Sequence, residues 1–259
     1  MLDLNSLMLD YGMSVSFTVM MAIFATRALV IAGGATVWIA AATWPKRHKV
    51  VLPAQHRVNI ARDIGRGLGI LAFDALAFSI LLHLGWIRAE LDPSPLHFWL
   101  VFAFFAVWTE VYFYFSHRAL HHPKLYWIHR FHHEGRGTNP WTSLAFSYGE
   151  RAILLTGAFA PLVLLSRWMP ISLTAFTLYY LVNYILNVYH HLNVELMPRA
   201  YANSFLFRWM GTAVSHGLHH LRFRGHYGLY TRFLDRWLGT DFPDYPEKFH
   251  RVLDGKGAL

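Results

Sequence analysis

The sequence predicts an all-α integral membrane fold with about four to five membrane helices, two of them a hairpin, and a histidine-rich cap on the cytoplasmic side. Three observations predict it. Apolar residues make up 55% of the 259, and charged residues only 15%, against about 25% in an average soluble domain. Long apolar runs recur, separated by short polar stretches. Twelve of the seventeen histidines fall between His117 and His226.

Composition also excludes. An aromatic content of 17% is incompatible with disorder. The absence of cysteine removes a disulfide scaffold, a thiolate zinc site, a cysteine-ligated iron–sulfur cluster and a cysteine nucleophile. The net charge of +8 belongs on the cytoplasmic side of a membrane protein, facing anionic lipid.

The elements follow in order. Residues 1–97 read as N-terminal membrane helices with a basic cytoplasmic loop. No cleavable signal peptide is visible, since no basic segment precedes the first apolar run. Val15 to Thr43 is long enough to span a bilayer, which needs about 20 apolar residues. Arg27 interrupts it and must pair or snorkel. Gly33 and Gly34 allow a close contact or a kink. Trp44 to Arg66 carries six basic residues and is cytoplasmic by the positive-inside rule. Leu68 to Ile87, with Asp74 and His83, is the second span. Leu96 to Phe115 is the third, with Glu110 near its end. The chain returns to the cytoplasm at Ser116, where the histidines begin. Ala152 to Leu165 and Ile171 to Val188 form a helical hairpin. Phe205, Phe207, Arg208 and Trp209 read as interfacial. Residues 242–259 read as a solvated tail.

The histidines come in boxes. His117 and His121 are i and i+4, which share a helix face; His122 follows. His129, His132 and His133 stand at i, i+3 and i+4, so all three can point to one side. His216, His219 and His220 repeat that spacing. Between them lie His190, His191 and Asn193, with His191 four residues after Asn187. Neutral imidazole suits iron, zinc, copper and nickel. One tetrahedral zinc needs four ligands, and eight or nine histidines suit two ions better than one. His122, His190 and His226 each neighbour a stronger candidate and read equally as ligands, as supports or as packed residues. His48, His56, His83, His97 and His250 read as isolated polar residues. Binding of lipid head groups does not explain the repeated spacing, because lysine or arginine serves that better.

Other chemistries fail on spacing. The zinc-protease pattern would begin at His133-Glu134, but position 137 is Gly137. The Glu-x-x-His pairs of soluble di-iron bundles are absent. A b-type haem would use two histidines and leave the rest unexplained. No GxGxxG loop or P-loop is present, and the basic residues form no soluble nucleic-acid patch.

At these boxes the sequence resembles the fatty acid hydroxylase and sterol desaturase superfamily of membrane-bound histidine-box enzymes. The resemblance covers about Phe98 to Thr240, within a catalytic region placed at 98–241. All three boxes are present in order. His191-Leu-Asn193 resembles the family's His-x-Asn segment. Tyr227-Gly228 and Leu234-Asp-Arg-Trp-Leu-Gly-Thr240 resemble its ending. The resemblance implies a cytoplasmic dimetal site with His117, His121, His129, His132, His133, His191, His216, His219 and His220 as ligands. It implies two iron ions, with zinc a substitute in recombinant material, and oxidation of lipid C–H bonds with O2. Hydroxylation of a fatty acyl, sterol-like or other isoprenoid chain is the first expectation, and desaturation the alternative. Ala145 and Ser147 stand where many members carry Arg and His, and His226 where an Asn often stands. The nine histidines are intact, but the resemblance names no substrate.

Further expectations rest on the residues. Glu110, Glu150 and Asp235 are candidate acids behind the ligands. Glu110 lies two helical turns before His117, and a carboxylate receiving an imidazole N–H fixes its tautomer. The rival reading pairs Glu150 with Arg151 and Asp235 with Arg236. No flavin, haem or iron–sulfur module is visible, so electrons come from an external carrier of the ferredoxin or cytochrome b5 kind. Arg130, Arg136, Arg222 and Arg224 are candidates for its docking face, or for lipid phosphates. The Arg-rich, Lys-poor chain favours a bacterial inner membrane. A metal transporter, with histidines lining a path through the bilayer, and a membrane zinc hydrolase are the rival classes.

Overall fold

The computed structural model describes residues 12–91, 94–135 and 137–259. Helix α1 (Gly12–Ala41) is 30 residues long. A π turn at Leu29–Gly33 interrupts it, and Gly33 lies against the Trp141 indole. Helix α2 (Ile60–His83) starts with Asn59, whose side chain accepts from the Arg62 N–H, a standard N-cap. It begins eight residues before the expected Leu68. Its polar first turns pack on the segment after the second histidine box. Asp63 accepts there from Asn139 and Thr142, and Arg66 donates to the Phe146 carbonyl.

Helix α3 (Pro95–Leu120) is capped by Ser94, with proline in its first turn. It continues past Phe115 and carries His117 beyond the apolar run. Helix α4 (Tyr148–Ser166) is capped by Ser147, and α5 (Leu173–His191) by Ser172. By length and composition, α1 to α4 can each cross a membrane. Helix α5 is more polar, because Tyr179, Tyr180, Asn183, Tyr184 and Asn187 lie on it.

Two short strands, β1 (Ala89–Glu90) and β2 (Ile171–Ser172), pair in parallel. They tie the α2–α3 loop to the α4–α5 loop, at the end of the bundle away from the histidines. Leu82, Ile87, Phe105, Leu162 and Ile171 form the core there. Helices α3 and α4 cross closely at Gly157, where a Cβ would stand 2.1 Å from the Tyr112 ring. Several polar groups in the spans are partnered. Arg151 makes a two-pronged bond to Asp74 at 2.7 and 2.5 Å. His83 bonds Ser16. Arg27 stacks over the Tyr184 ring at 4.5 Å.

The cap departs from expectation twice. Residues 242–259 are not a solvated tail. Helix α7 (Tyr245–Leu253) buries Tyr245, Phe249 and Val252 against Val50, Val51, Val214 and Leu218, and the Ala258 N–H donates to the Val50 carbonyl. Those three residues recur at i, i+4 and i+7, which makes one apolar helix face in a polar-looking stretch. Phe207, expected at the membrane interface, is also buried in this core, stacked on Tyr245, while Phe205 beside it is exposed.

Candidate metal centre

Four elements deliver the histidines. The end of α3 supplies His117 and His121. The turn after α3 supplies His129, His132 and His133. The end of α5 supplies His191. Helix α6 (Ala213–Arg222), capped by Thr212 and Ser215, supplies His216, His219 and His220.

The nine fall into two groups. In one, ring nitrogens of His117, His121, His129, His133 and His219 lie within 4.8 Å of one another. In the other, those of His132, His191, His216 and His220 do so. The boxes are therefore split, contrary to the reading that each points to one side. His129 and His133 serve the first group and His132 the second; His216 and His220 serve the second and His219 the first. Each three-histidine box sends an i, i+4 pair to one group and its middle member to the other. The two groups touch where His133 stacks on His220, with centroids 4.4 Å apart.

Hydrogen bonds behind the rings set the tautomers. His117 donates from Nδ1 to the Tyr227 carbonyl at 2.9 Å. His129 donates to Glu150 at 2.7 Å, His219 to the Gly225 carbonyl at 2.8 Å and His191 to the Asn187 carbonyl at 2.8 Å. A neutral ring with its proton on Nδ1 presents a lone pair at Nε2. These Nε2 atoms converge: His191 to His216 at 2.9 Å, His219 to His133 at 3.1 Å, His117 to His121 at 3.3 Å. In each pair one ring is fixed with its lone pair at Nε2, and a cation between the two nitrogens would satisfy both. Imidazole nitrogens about 2.1 Å from one ion stand about 3 Å apart when adjacent. The buried His129 Nε2 has no hydrogen-bond partner either. The residues fit a pair of metal ions.

Electrostatics agree. Burial, reinforced by neighbouring rings, holds His129, His132, His133, His216, His219 and His220 well below the usual histidine range. Burial pushes His121 down to about 4. The rings are neutral at neutral pH, the form that binds metal.

The three acids divide. Glu150 stands behind His129, as expected, and not against Arg151, which pairs with Asp74. Asp235 reaches no imidazole. It accepts from the Tyr227 and Gly228 N–H groups and from Thr240, clamping the loop whose carbonyls receive His117 and His219. A Cβ at Gly228 would stand 2.1 Å from the Thr231 carbonyl and 2.9 Å from Asp235, so only glycine fits this clamp. Glu110, expected behind His117, instead accepts from the Tyr230 N–H and the Thr231 hydroxyl. Its face of α3 turns toward the 230–231 segment. Asp235 does not pair with Arg236, whose guanidinium donates to the Arg208 carbonyl.

The ambiguous histidines also separate. His226 bonds the Ser215 carbonyl and Asp241 and stays outside both groups. His122 is exposed. His190 is buried beside His216 and Tyr230 but joins neither group. Of the docking arginines, Arg130 and Arg224 are exposed, Arg222 is paired with Asp244, and Arg136 lies outside the described residues.

A cavity of about 110 Å³ runs from the second group down between the spans. His132, His191 and His216 border its upper end, and Arg27, Tyr112, Arg151, Tyr180 and Tyr184 its lower part. Part of its wall had a readable signal. Residues 180, 183, 184, 187 and 191 are polar at helical spacing on a mostly apolar run. Asp63, the anchor of the 139–142 turn, had none.

Comparison with known proteins agrees with this site. Residues 102–240, more than half of the chain, match the fatty acid hydroxylase family. A very-long-chain aldehyde decarbonylase, GL1-5 of Oryza sativa subsp. indica, is 34% identical over 49% of this chain and 21% of its own. The decarbonylase CER1 of Arabidopsis thaliana is 31% identical over 51% of this chain and 22% of its own. The Delta(7)-sterol 5(6)-desaturase erg3C of Aspergillus fumigatus is 23% identical over 82% of this chain and 72% of its own. The matches thus span about a fifth of the decarbonylases. No solved structure matches. The family match, which takes in all nine grouped histidines, shows that the chain belongs to the fatty acid hydroxylase family.

Proposed function

We propose that this protein is a membrane oxidoreductase that hydroxylates a C–H bond of a lipid with O2 at a histidine-bound di-iron site. One observation carries the reading: nine neutral histidines converge in two adjoining groups, and one group borders a cavity that runs between membrane helices. His117, His121, His129, His133 and His219 would hold one iron, and His132, His191, His216 and His220 the other. Two irons would supply the O2-derived oxidant that an unactivated C–H bond requires and side chains lack. The protein's own residues do the rest. Glu150 and the Gly225 and Tyr227 carbonyls orient the imidazoles. The buried surroundings keep water out. The cavity presents a lipid chain to the second group.

The basic Trp44–Arg66 loop lies on the histidine side, which supports a cytoplasmic site by the positive-inside rule. A bacterial inner membrane remains the favoured location. Arg130 and Arg224 offer exposed positive charge to an acidic electron carrier. Desaturation is the second reading, favoured by the desaturase relative that covers most of this chain.

The test is metal content together with O2 uptake on a lipid extract supplied with a reductase system. Two irons per chain and a product heavier by one oxygen support hydroxylation. A product lighter by two hydrogens supports desaturation. A shortened hydrocarbon from an aldehyde moves the reading to the decarbonylases. One tightly held zinc, with no O2 uptake after iron reconstitution, overturns it in favour of a hydrolase.

A further inference from the structure

The cavity has two ends of different chemistry. Its upper end is imidazole. Its lower part holds two guanidinium groups, Arg27 and Arg151, and no carboxylate lines it. Arg151 is neutralised by its two-pronged bond to Asp74. Arg27 is not: among the described residues it has no ion pair, and its buried Nε has no hydrogen-bond partner. It stacks on Tyr184 and Phe24, but a stacked guanidinium keeps its in-plane N–H donors free. A charge between membrane helices is costly, faces a cavity or a partner, and by default marks a site. The local sum over Arg27, Arg151 and Asp74 is one positive charge, which an anion would balance.

Position adds a length. Arg27 lies over Tyr184, seven residues before His191 on α5. At 1.5 Å per residue that is about 10 Å, two helical turns. Asn183 and Asn187 line the cavity between.

We propose that Arg27 anchors the carboxylate of a long-chain fatty acid inside the membrane bundle, so that an in-chain carbon, and not one next to the head group, is presented to the second histidine group. This rests on the reading that the cavity receives the lipid. Arg27 is then a specificity-determining residue. A planar carboxylate accepts two parallel N–H bonds from its fork, whereas an ester presents no charge to it.

The experiment is equilibrium binding to the metal-free full chain in nanodiscs of neutral lipid, with hexadecanoate and its methyl ester as probes. The wild type is expected to bind the acid at least about tenfold tighter than the ester, the scale of a charged hydrogen bond. Arg27→Gln should erase that preference and leave ester binding intact, which also shows that the variant is folded. Arg27→Lys should keep part of it. A wild type without preference, or a preference that survives Arg27→Gln, overturns the proposal. So does equal displacement of hexadecanoate by phosphatidate. Because no metal is present, the two readings fail separately. An Arg27-dependent preference with no oxygenation by iron-loaded protein keeps the anchor and removes the oxygenase. Oxygenation without the preference does the reverse.

Discussion

The two histidine groups are unequal, and the inequality is informative. The five-member group borders no part of the cavity. Three of its rings, His117, His129 and His219, are held from behind by the Tyr227 carbonyl, Glu150 and the Gly225 carbonyl. In the four-member group, three of four line the cavity, and His191 is held by a helix carbonyl. On the proposed reading, one ion is locked by supporting bonds and the other is left facing the lipid. Rigidity and access are assigned to different sites, though both draw on the same two boxes.

The largest effect is expected from His216→Ala. It should reduce turnover to background and lower metal content by one ion per chain, read by elemental analysis. Retention of both ions and of turnover would show that the cavity-side group holds no metal. Next comes Phe249→Ala, which empties the core beneath α6. Since α6 serves both groups, it should cost about 3–5 kcal/mol of stability and weaken both sites together. Denaturant unfolding of the purified protein measures it, and loss from only one group would contradict a shared support.

Glu150→Gln should cost about 10- to 100-fold in metal affinity or activity, the range for a partner behind a ligand. Asp241→Asn, behind the uninvolved His226, should change metal content little.

The histidines of both groups also predict acid sensitivity of the metal-free protein. His121 falls to about 4 from its usual 6.5, and burial also holds His132 well below that usual value. Below pH 6.5 the unfolded chain binds more protons than the folded one. Stability is therefore full above 6.5 and lost as pH falls toward about 4 and below. Thermal melting across that window checks it, and metal should blunt the loss by holding the rings deprotonated. The smallest effect belongs to the Arg222–Asp244 pair, about one-third exposed. Arg222→Ala should shift stability by no more than about 1 kcal/mol and leave both groups filled.

Much of this was legible in the sequence. Apolar runs announced the spans because a bilayer demands length and low charge within one continuous segment. The histidine boxes announced a metal site because i, i+3 and i+4 spacing is local. The helix ending at Leu253 was also written there, in Tyr245, Phe249 and Val252, beneath a polar composition that hid it.

What tertiary structure alone decided is pairing across the chain. Which histidine of a box joins which group depends on where α3, α5 and α6 meet, and spacing within one box carries no information about that. In the sequence, Glu110 and Glu150 looked alike as acids near boxes. The fold turned Glu110 toward Tyr230 and Glu150 toward His129, 21 residues away in sequence. Asp235 turned out to hold a loop and not a ring. Arg27 was readable as a costly charge. That its neighbour Arg151 would take Asp74 and leave it facing the cavity required the packed bundle, because charge balance in a low-dielectric interior is set by which groups touch.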